Sequence, residues 1–493
     1  MPTKARVFHY NFTIAPNGLL HGMRLGPRDG LKEGLMFRVQ FNVTRGAGSW
    51  IGLRHRLLDL LQVIKAVHAA DRLSPRHPDR DGYGWSRHLA INLPVYDLDF
   101  WREPWVQDRL SGLLGSLTTD EWCFHWSRRT DPVSARPSAQ GCLLEVGTAP
   151  SRFVLLSGGL DSFAGTCDLA QENVTDRFGL VSVVTADRVA GIQHEVCAAL
   201  ERRFRGRIHP TELRLELSRS IRGPGLHRSR SFVFQTLGAI AAHADGAMEL
   251  YQCENGLASL CLPLRVGAFP WETPQGVHPS LLHNMGAFLS LVFGEPFQIR
   301  NPYLLKSKAE MCASIQRAGL EQSIRATVSC DRFPQRVQLT PLCGKCAPCI
   351  LRRQSLYASG LAPFDHNDLY RYDVTVPHTT IPRESREALD AMLSQRERIR
   401  KALTSGHPWS VLTRSYPGLE MTKRYVAKVV GRDEAAVQNE LLELLRRYVA
   451  EWNLFPMCAE FPDATEIGDR RRVRPDVPEM PMLPLYDPNG QAV

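Results

Sequence analysis

The spacing of hydrophobic and polar residues changes along the chain and divides it into parts. Between Leu35 and Val43 every second residue is apolar, which is typical of a strand with one buried face. From Ile51 to about Leu73 apolar residues recur at helical spacing, which predicts an amphipathic helix. Two more strands and a helix are expected, at His88–Leu93, Trp122–Trp126 and Pro104–Leu117. We therefore predict an N-terminal α+β domain over residues 1–140.

Residues 141–361 differ from this, because predicted strands and helices alternate. The strands are expected at Phe153–Leu156, Leu180–Thr185, Glu212–Leu217, Met248–Cys253 and Phe297–Arg300. The helices are expected at Asp161–Gln171, Ile192–Phe204, Arg230–Ala244, Leu281–Phe293 and Lys306–Gly319. Repeated β–α units imply an α/β fold with a parallel sheet, helices on both faces, and ligand sites beyond the carboxyl ends of the strands.

The remainder of the chain is mostly helical in pattern. Residues 362–455 are expected to form a helical extension, with long amphipathic helices at Ser385–Leu403 and Asp433–Trp452. Residues 456–493 form a proline-rich tail with a basic run at residues 470–472. Such a composition predicts an extended segment that wraps the surface or is partly disordered.

Composition narrows the class of protein. Hydrophobic residues make up 43% and charged residues 23% of the 493 positions, as in an ordinary globular protein. No apolar run approaches the roughly 20 residues that span a bilayer. The chain begins with the strand-like Val7–Phe12 rather than a signal-peptide pattern, so we expect a cytoplasmic protein. The net charge of +9 favours anionic ligands, but for this length it does not by itself indicate nucleic-acid binding.

The most informative short motif follows the apolar run Phe153–Leu156 and precedes a predicted helix. It consists of Ser157, Gly158, Gly159, Leu160, Asp161 and Ser162. Glycines allow a tight turn with exposed N–H groups, and the helix N-terminus adds partial positive charge, so the stretch predicts an anion cradle. Asp161 would repel a bare phosphate, which suggests Mg²⁺ between its carboxylate and phosphate oxygens. The alternative is an ordinary strand–turn–helix corner with incidental glycines.

Four of the twelve cysteines form a second motif. Cys330, Cys343, Cys346 and Cys349 include two successive Cys-x-x-Cys steps, which place three sulfurs in one knuckle while the fourth comes from upstream. Four thiolates suit a tetrahedral, structural Zn²⁺, which would pin residues 329–353 against the α/β domain. An iron–sulfur cluster, a redox-active Cys-x-x-Cys pair and a site without metal are the alternatives.

Together these motifs resemble the 7-cyano-7-deazaguanine synthase (QueC) family of PP-loop ATP pyrophosphatases. A third segment, residues 302–310, is similar to the family's P-x-x-x-x-S-K-A-E pattern, and residues 350–353 also fit. Arg230 matches an arginine that precedes an apolar helix in the family. The resemblance covers roughly residues 150–360 and implies an adenine nucleotide alpha hydrolase-like core.

The chain departs from the family pattern in several places. The family's Tyr-Gly-Gln-Arg-His is represented only by residues 191–194, and its Asp-x-Ser-Gly-Tyr loop is replaced by residues 254–256 and a longer insert. The N-terminal and C-terminal parts have no counterpart in the compact biosynthetic enzyme. The extended chain resembles the QueC-like proteins of bacterial antiphage systems, namely Qat and type IV CBASS. Those proteins are thought to join a 7-amido-deazaguanine to a protein N-terminus.

The resemblance implies an ATP-dependent, C–N bond-forming ligase that releases AMP and pyrophosphate. The carboxylate of 7-carboxy-7-deazaguanine attacks the α-phosphate of ATP, and an amine then displaces AMP from the acyl-adenylate. The residues implied for pyrophosphate are Ser157, Gly158, Gly159, Leu160 and Ser162, with Asp161 for Mg²⁺. Lys308 would stabilise charge, and Arg230 would contact phosphates or the purine-like substrate. His194 is either a site residue or a packed histidine.

Two amines are alternatives for the acceptor that reacts with the activated carboxylate. A protein amine, from a partner encoded in the same defence operon, is favoured because about 280 extra residues are unexplained by a small-molecule synthase. Ammonia, followed by dehydration to the nitrile, is the biosynthetic alternative. A tRNA-modifying PP-loop enzyme belongs to another class, but the basic residues are not interleaved with aromatic ones. A nucleotide-binding pseudoenzyme is a third possibility, and a homodimer is conceivable.

Overall fold

The computed structural model describes residues 7–15, 17–25, 34–45, 54–75, 86–130, 150–218, 228–264, 276–333, 340–376 and 383–456. The strands are β1 (Val7–Ile14), β2 (Leu20–Leu25), β3 (Leu35–Arg45), β4 (His88–Val95), β5 (Glu121–Arg128), β6 (Arg152–Leu155), β7 (Phe178–Val184), β8 (Ile208–Leu217), β9 (Glu249–Tyr251) and β10 (Gln298–Arg300). The helices are α1 (His55–Leu73), α2 (Leu98–Arg102), α3 (Pro104–Thr118), α4 (Leu160–Glu172), α5 (Asp187–Arg203), α6 (Arg230–Ala244), α7 (Gly256–Ser259), α8 (Pro279–Phe293), α9 (Lys308–Arg317), α10 (Ala347–Ala358), α11 (Arg383–Leu403), α12 (Pro408–Ser415), α13 (Gly418–Val430) and α14 (Glu434–Trp452).

All ten described strands belong to one sheet, in the order β10-β9-β6-β7-β8-β3-β2-β1-β4-β5. The strands β10, β9, β6, β7 and β8 are mutually parallel, and so are β1, β4 and β5. Only the pairs β1–β2, β2–β3 and β3–β8 are antiparallel. The expected α/β architecture with a large, mostly parallel sheet is therefore confirmed.

The strand order places a topological switch point between β6 and β9. The chain continues from β6 to β7 and β8 on one side, and later returns to add β9 and β10 on the other side. In an open parallel sheet the loops that leave the two adjacent strands separate at such a point and form a crevice. The glycine-containing turn after β6 lies at this position.

The sheet is covered on both faces. Helices α1, α3, α6 and α8 pack on one face and share one apolar core, whereas α4, α5 and α9 pack on the other. Strand β7 is buried along its whole length, as expected for an interior parallel strand. Three tryptophans of the N-terminal part, Trp101, Trp122 and Trp126, lie in the first core.

The N-terminal part has the predicted mixture of strands and helices, and it extends the sheet and core of the following part. Strand β3 pairs with β8 from Val39 to Arg45, and α1 packs against α6. The predicted boundary at residues 140 and 141 lies outside the described residues.

Helices α11, α12, α13 and α14 form a further apolar cluster together with part of α10. The stripe predicted on α14 is buried and consists of Val437, Leu441, Leu444, Leu445, Tyr448 and Trp452. The proline-rich tail lies outside the described residues from residue 457 onwards. Among the described helices, none is both long enough and apolar enough to span a membrane.

Candidate functional site at the carboxyl edge of the sheet

The turn between β6 and α4 places backbone N–H groups at the start of a helix. Gly159 is the N-cap residue of α4, and Gly158 has a φ of +79°, which side-chain-bearing residues rarely adopt. A Cβ atom on Gly158 would also lie 2.8 Å from Cγ2 of Ile192. The first N–H groups of an α-helix lack partners within the helix, so the anion cradle predicted from the sequence would be formed by this turn.

The two serines of the turn lie side by side. Their hydroxyl oxygens, Oγ of Ser157 and Oγ of Ser162, are 3.1 Å apart. Ser157 Oγ also accepts a hydrogen bond from the Gly159 N–H at 3.2 Å, and Ser162 Oγ donates to the Gly159 carbonyl oxygen at 3.1 Å. The hydroxyls therefore fix the shape of the turn, and that of Ser157 accepts a hydrogen bond from one of its N–H groups.

Asp161, in the first turn of α4, contacts residues at the start of two other helices. Its Oδ2 atom forms an ion pair with Nζ of Lys308, and its Oδ1 atom accepts a hydrogen bond from Nδ2 of Asn255 at 2.9 Å. The same Asn255 amide donates to Oε1 of Glu254 at 3.0 Å, while its Oδ1 atom caps α7. Asp161, Asn255, Lys308 and Glu254 are called the acid–lysine cluster below.

The four members of the acid–lysine cluster follow three neighbouring strands at the switch point. Asp161 comes after β6, Glu254 and Asn255 after β9, and Lys308 after β10. Asp161 and Lys308 were predicted as site residues, and the structure brings them into contact. From the sequence, residues 254–256 are identified only as a loop that replaces the family's loop. Their position just after a predicted strand is the one feature of the sequence that indicates a role for Asn255 in the site.

Charge and burial set the protonation of this cluster. Burial raises the pKa of Glu254, and the nearby negative charge of Asp161 raises it further. Burial alone would lower the pKa of Lys308, but the charges of Asp161 and Glu254 outweigh it and raise the pKa. Lys308 is 5% exposed and therefore remains a buried cation between two carboxyl groups. An Mg²⁺ ion bound by Asp161 would share the Asp161 carboxylate with two hydrogen-bond donors, Lys308 and Asn255.

The four predicted cysteines lie together. The Sγ atoms of Cys330, Cys343, Cys346 and Cys349 are all within 4.8 Å of one another. The Sγ atoms of Cys343 and Cys349 are 4.0 Å apart, as are those of Cys346 and Cys330. A tetrahedral zinc thiolate site has sulfur–sulfur separations of about 3.8 Å. The donor set therefore fits Zn²⁺, and among the described residues no other group of this kind can hold a metal.

The segment that leads into the cysteine cluster contacts the glycine turn. The Val328 N–H donates to the Gly158 carbonyl oxygen at 3.0 Å, and the Leu160 N–H donates to Oγ of Ser329 at 3.2 Å. Cys349 Sγ lies 3.5 Å from the Ser329 carbonyl oxygen. The segment before Cys330 is thus bonded to the anion cradle on one side and to the cysteine cluster on the other.

Helix α14 holds the segment that carries Lys308. Ser307 caps α9 by accepting a hydrogen bond from the Glu310 N–H at 3.2 Å, and its hydroxyl also donates to Glu451 of α14. Arg447 of α14 donates to the Leu305 carbonyl oxygen at 2.7 Å and to Oε2 of Glu310 at 3.0 Å. The C-terminal extension therefore braces the residue that precedes Lys308.

This brace is expected to respond to pH. Burial raises the pKa of Glu451 from its ordinary value of 4.5 to about 7, against the opposing effects of Ser307, Gln354 and Arg447, while Glu310 raises it further. Because the pKa of Glu451 is higher in the folded protein, its protonated form stabilises the fold. This contribution to the free energy of unfolding is complete below pH 4.5 and is lost as the pH rises through about 7. Between pH 5.5 and 8.5 the wild type should lose about 1 kcal/mol more stability than Glu451→Gln.

Urea unfolding at the two pH values measures this difference. Glu443→Gln is the matched control, because Glu443 lies on the same helix and pairs with Arg446 at the surface. The control should keep the pH dependence of the wild type. An identical pH dependence of wild type and Glu451→Gln would contradict the assignment of a titrating Glu451.

The two remaining predicted residues lie on helices that carry no member of the acid–lysine cluster. Arg230 begins α6, and its guanidinium stacks on the ring of Phe234, with Cζ 4.9 Å from the ring centroid. His194 lies on α5 and pairs with Glu212 of β8. Gln193, which sequence reasoning did not single out, donates to the Leu156 carbonyl oxygen at 3.2 Å and packs beside Gly158.

Comparison with known proteins does not identify a family or a function for the chain. No protein-family model matches the chain, and no curated protein matches it either. The function must therefore be argued from the site itself.

Proposed function

We propose that the protein is an ATP-dependent ligase that activates a carboxylate by adenylation and then forms an amide. The observation that carries this proposal is that the glycine turn and the ion pair of Asp161 with the buried Lys308 lie together at the switch point of a parallel sheet. A turn rich in N–H donors suits a polyphosphate, and a buried cation suits the charge that develops during phosphoryl transfer. The motif resemblance to PP-loop ATP pyrophosphatases agrees with this arrangement.

In the proposed reaction the cradle of residues 157–162 holds the β- and γ-phosphates and leaves the α-phosphate open. A carboxylate oxygen of the substrate attacks the α-phosphorus, the bond to the bridging oxygen breaks, and pyrophosphate leaves. An amine nitrogen then attacks the acyl carbon, the bond to AMP breaks, and the amine gives up a proton. The protein contributes alignment and charge neutralisation rather than a covalent intermediate.

Individual residues would serve this reaction in different ways. Lys308 faces the cradle from α9 and would neutralise charge on the phosphates, while Asp161 would hold Mg²⁺ that neutralises and orients the polyphosphate. Asn255 fixes the Asp161 carboxylate by a hydrogen bond. The four cysteines would hold a structural zinc that keeps Val328 and Ser329 against the cradle.

The proposed carboxylate substrate is 7-carboxy-7-deazaguanine, and the proposed acceptor is a protein amine. The substrate follows from the motif resemblance. The acceptor follows from the parts that the compact synthase lacks, since α1 packs on α6 and α14 braces the Lys308 segment. The extension that contains α14 lies next to the site, and these additions would present a macromolecular acceptor to it. Ammonia, with nitrile as the final product, is the competing outcome.

Incubation of the purified protein with ATP, 7-carboxy-7-deazaguanine and candidate partner proteins tests the proposal. We expect AMP and pyrophosphate in equal amounts, and a partner protein whose intact mass increases by the acyl group. Production of ADP and phosphate would contradict adenylation. Efficient nitrile formation from ammonia, without a protein adduct, would contradict the protein acceptor alone.

A further inference from the structure

Arg352 of α10 is a fully buried arginine, and all three nitrogens of its guanidinium group donate hydrogen bonds. Its Nε atom donates to Oδ1 of Asp365 at 3.1 Å and to the Tyr370 hydroxyl at 3.0 Å. The two terminal nitrogens donate to another part of the chain, the segment that precedes Cys330. Asp365 therefore compensates the buried charge, while the remaining donors of Arg352 are engaged by that segment.

The terminal nitrogens of Arg352 bind the end of a short helix. Nη2 donates to the Ile324 carbonyl oxygen at 2.9 Å, and Nη1 donates to the Thr327 carbonyl oxygen at 3.1 Å and to the Thr327 hydroxyl at 2.5 Å. Ile324 lies in the 3₁₀ helix Glu321–Ala326, and Thr327 is its C-cap residue. A cation is favourable there, because the last carbonyl groups of a helix carry partial negative charge.

The peptide unit between Thr327 and Val328 connects Arg352 to the glycine turn. The carbonyl oxygen of this unit accepts the hydrogen bond from Arg352, and its N–H, on Val328, donates to the Gly158 carbonyl oxygen at 3.0 Å. Since a peptide unit is planar, a bond that fixes its oxygen also fixes the direction of its N–H. Gly158 is the residue of the turn with a φ of +79°. Arg352 thus acts on the turn through one rigid group.

We propose that Arg352 is a positioning residue for the anion cradle, which it orients through the Thr327–Val328 peptide unit. Because Arg352 is fully buried behind this unit, its effect on a bound polyphosphate passes through the hydrogen bond to Gly158. The cysteine cluster contacts the same segment at another point, the Ser329 carbonyl oxygen. The role of Arg352 rests on the proposed function only in that the cradle is taken to bind a polyphosphate.

Arg353 provides a matched control for Arg352. It is the next residue of α10, is 2% exposed, and also pairs with a carboxylate, since its Nη1 atom lies 2.9 Å from Oδ1 of Asp373. Its Nη2 atom donates to Asn367. Arg352→Met and Arg353→Met each leave a carboxylate without its partner, so both should lower the free energy of unfolding. Arg352→Met differs in that it also removes the bonds to Thr327.

Calorimetric titration of the full chain with sodium pyrophosphate and Mg²⁺ measures the effect on the cradle. We expect Arg352→Met to bind pyrophosphate about tenfold more weakly than the wild type, and Arg353→Met to bind it within about twofold of the wild type. Arg352→Lys keeps the charge without the planar set of donors, so it should recover part of the affinity. Should Arg352→Met not fold, Arg352→Lys is compared with Arg353→Lys in the same way. The zinc content of every variant should equal that of the wild type, which separates this effect from loss of the cysteine knuckle.

Equal pyrophosphate affinities of the wild type and Arg352→Met would overturn the positioning role. An equal loss in Arg353→Met would do the same, because destabilisation of α10 would then account for the effect. Pyrophosphate binding requires no catalysis, so the two proposals can fail separately. Weaker binding by Arg352→Met, with no AMP formation by the wild type, would remove the ligase assignment and keep the role of Arg352. AMP formation with equal pyrophosphate affinities would do the reverse, and a wild type that binds no pyrophosphate would remove the cradle and the role of Arg352 together.

Discussion

Replacement of Asp161 by asparagine, or of Lys308 by methionine, is expected to lower the rate of ATP-dependent AMP formation by about two to three orders of magnitude. The reason is that each variant removes a charge placed where the phosphate charge changes during transfer, and such groups contribute factors of about 10²–10³. The rate is measured as AMP release with ATP, 7-carboxy-7-deazaguanine and an acceptor. Lys306→Met is the matched control, because Lys306 is more exposed and pairs with Asp168 instead.

Measuring both the free energy of unfolding and the activity of the variants distinguishes a catalytic role of Asp161 and Lys308 from a purely structural one. Lys308 is buried, so its removal leaves the Asp161 charge unpaired and should cost about 3 kcal/mol in the free energy of unfolding. Asp161→Asn should cost less, because the Glu254 carboxyl group remains near Lys308. The double variant Asp161→Asn, Lys308→Met removes both charges and should recover most of that stability. We expect the double variant to remain inactive. A double variant with wild-type activity would show that the pair serves the fold alone.

The fold was predictable wherever local pattern was decisive. The predicted helix Arg230–Ala244 has the observed bounds of α6, because its apolar residues face the sheet continuously. Strand β2 was not predicted, since its short sequence includes Gly22 at a buried position. A Cβ atom on Gly22 would lie 2.2 Å from the ring of Phe37, so packing rather than strand propensity determines that residue.

The pairing of β3 with β8 could not be predicted from the sequence. It joins residues about 170 positions apart, and the alternating pattern of β3 indicates a strand without indicating its neighbour. The same limit applies to the site. The glycine turn and the four cysteines are contiguous motifs, whereas Asn255 reaches Asp161 only because β9 lies next to β6. Local motifs therefore predicted the separate parts of the site, whereas the contacts between those parts depend on the strand order, which the sequence does not indicate.

The second large effect is expected from loss of the cysteine knuckle. Purified wild type should contain about one zinc per chain by metal analysis, and Cys346→Ser should contain less than a tenth of that. If the metal stabilises the small apolar cluster around these cysteines, the variant should also unfold at a lower temperature. Cys123→Ser is the control, since Cys123 lies on β5 far from the cluster in sequence and topology.

The same variant should bind ATP at least tenfold more weakly. Val328 and Ser329 bond to the backbone of Gly158 and Leu160, and they are held in turn through Cys330 and Cys349. Displacement of these partners by about 1 Å would change the shape of the anion cradle, which is sufficient for large losses. Chelation of the wild type should reproduce the loss, and added zinc should reverse it. Unchanged ATP affinity in metal-free protein would show that the knuckle stabilises its own loops without shaping the cradle, and iron in the metal analysis would favour an iron–sulfur cluster instead.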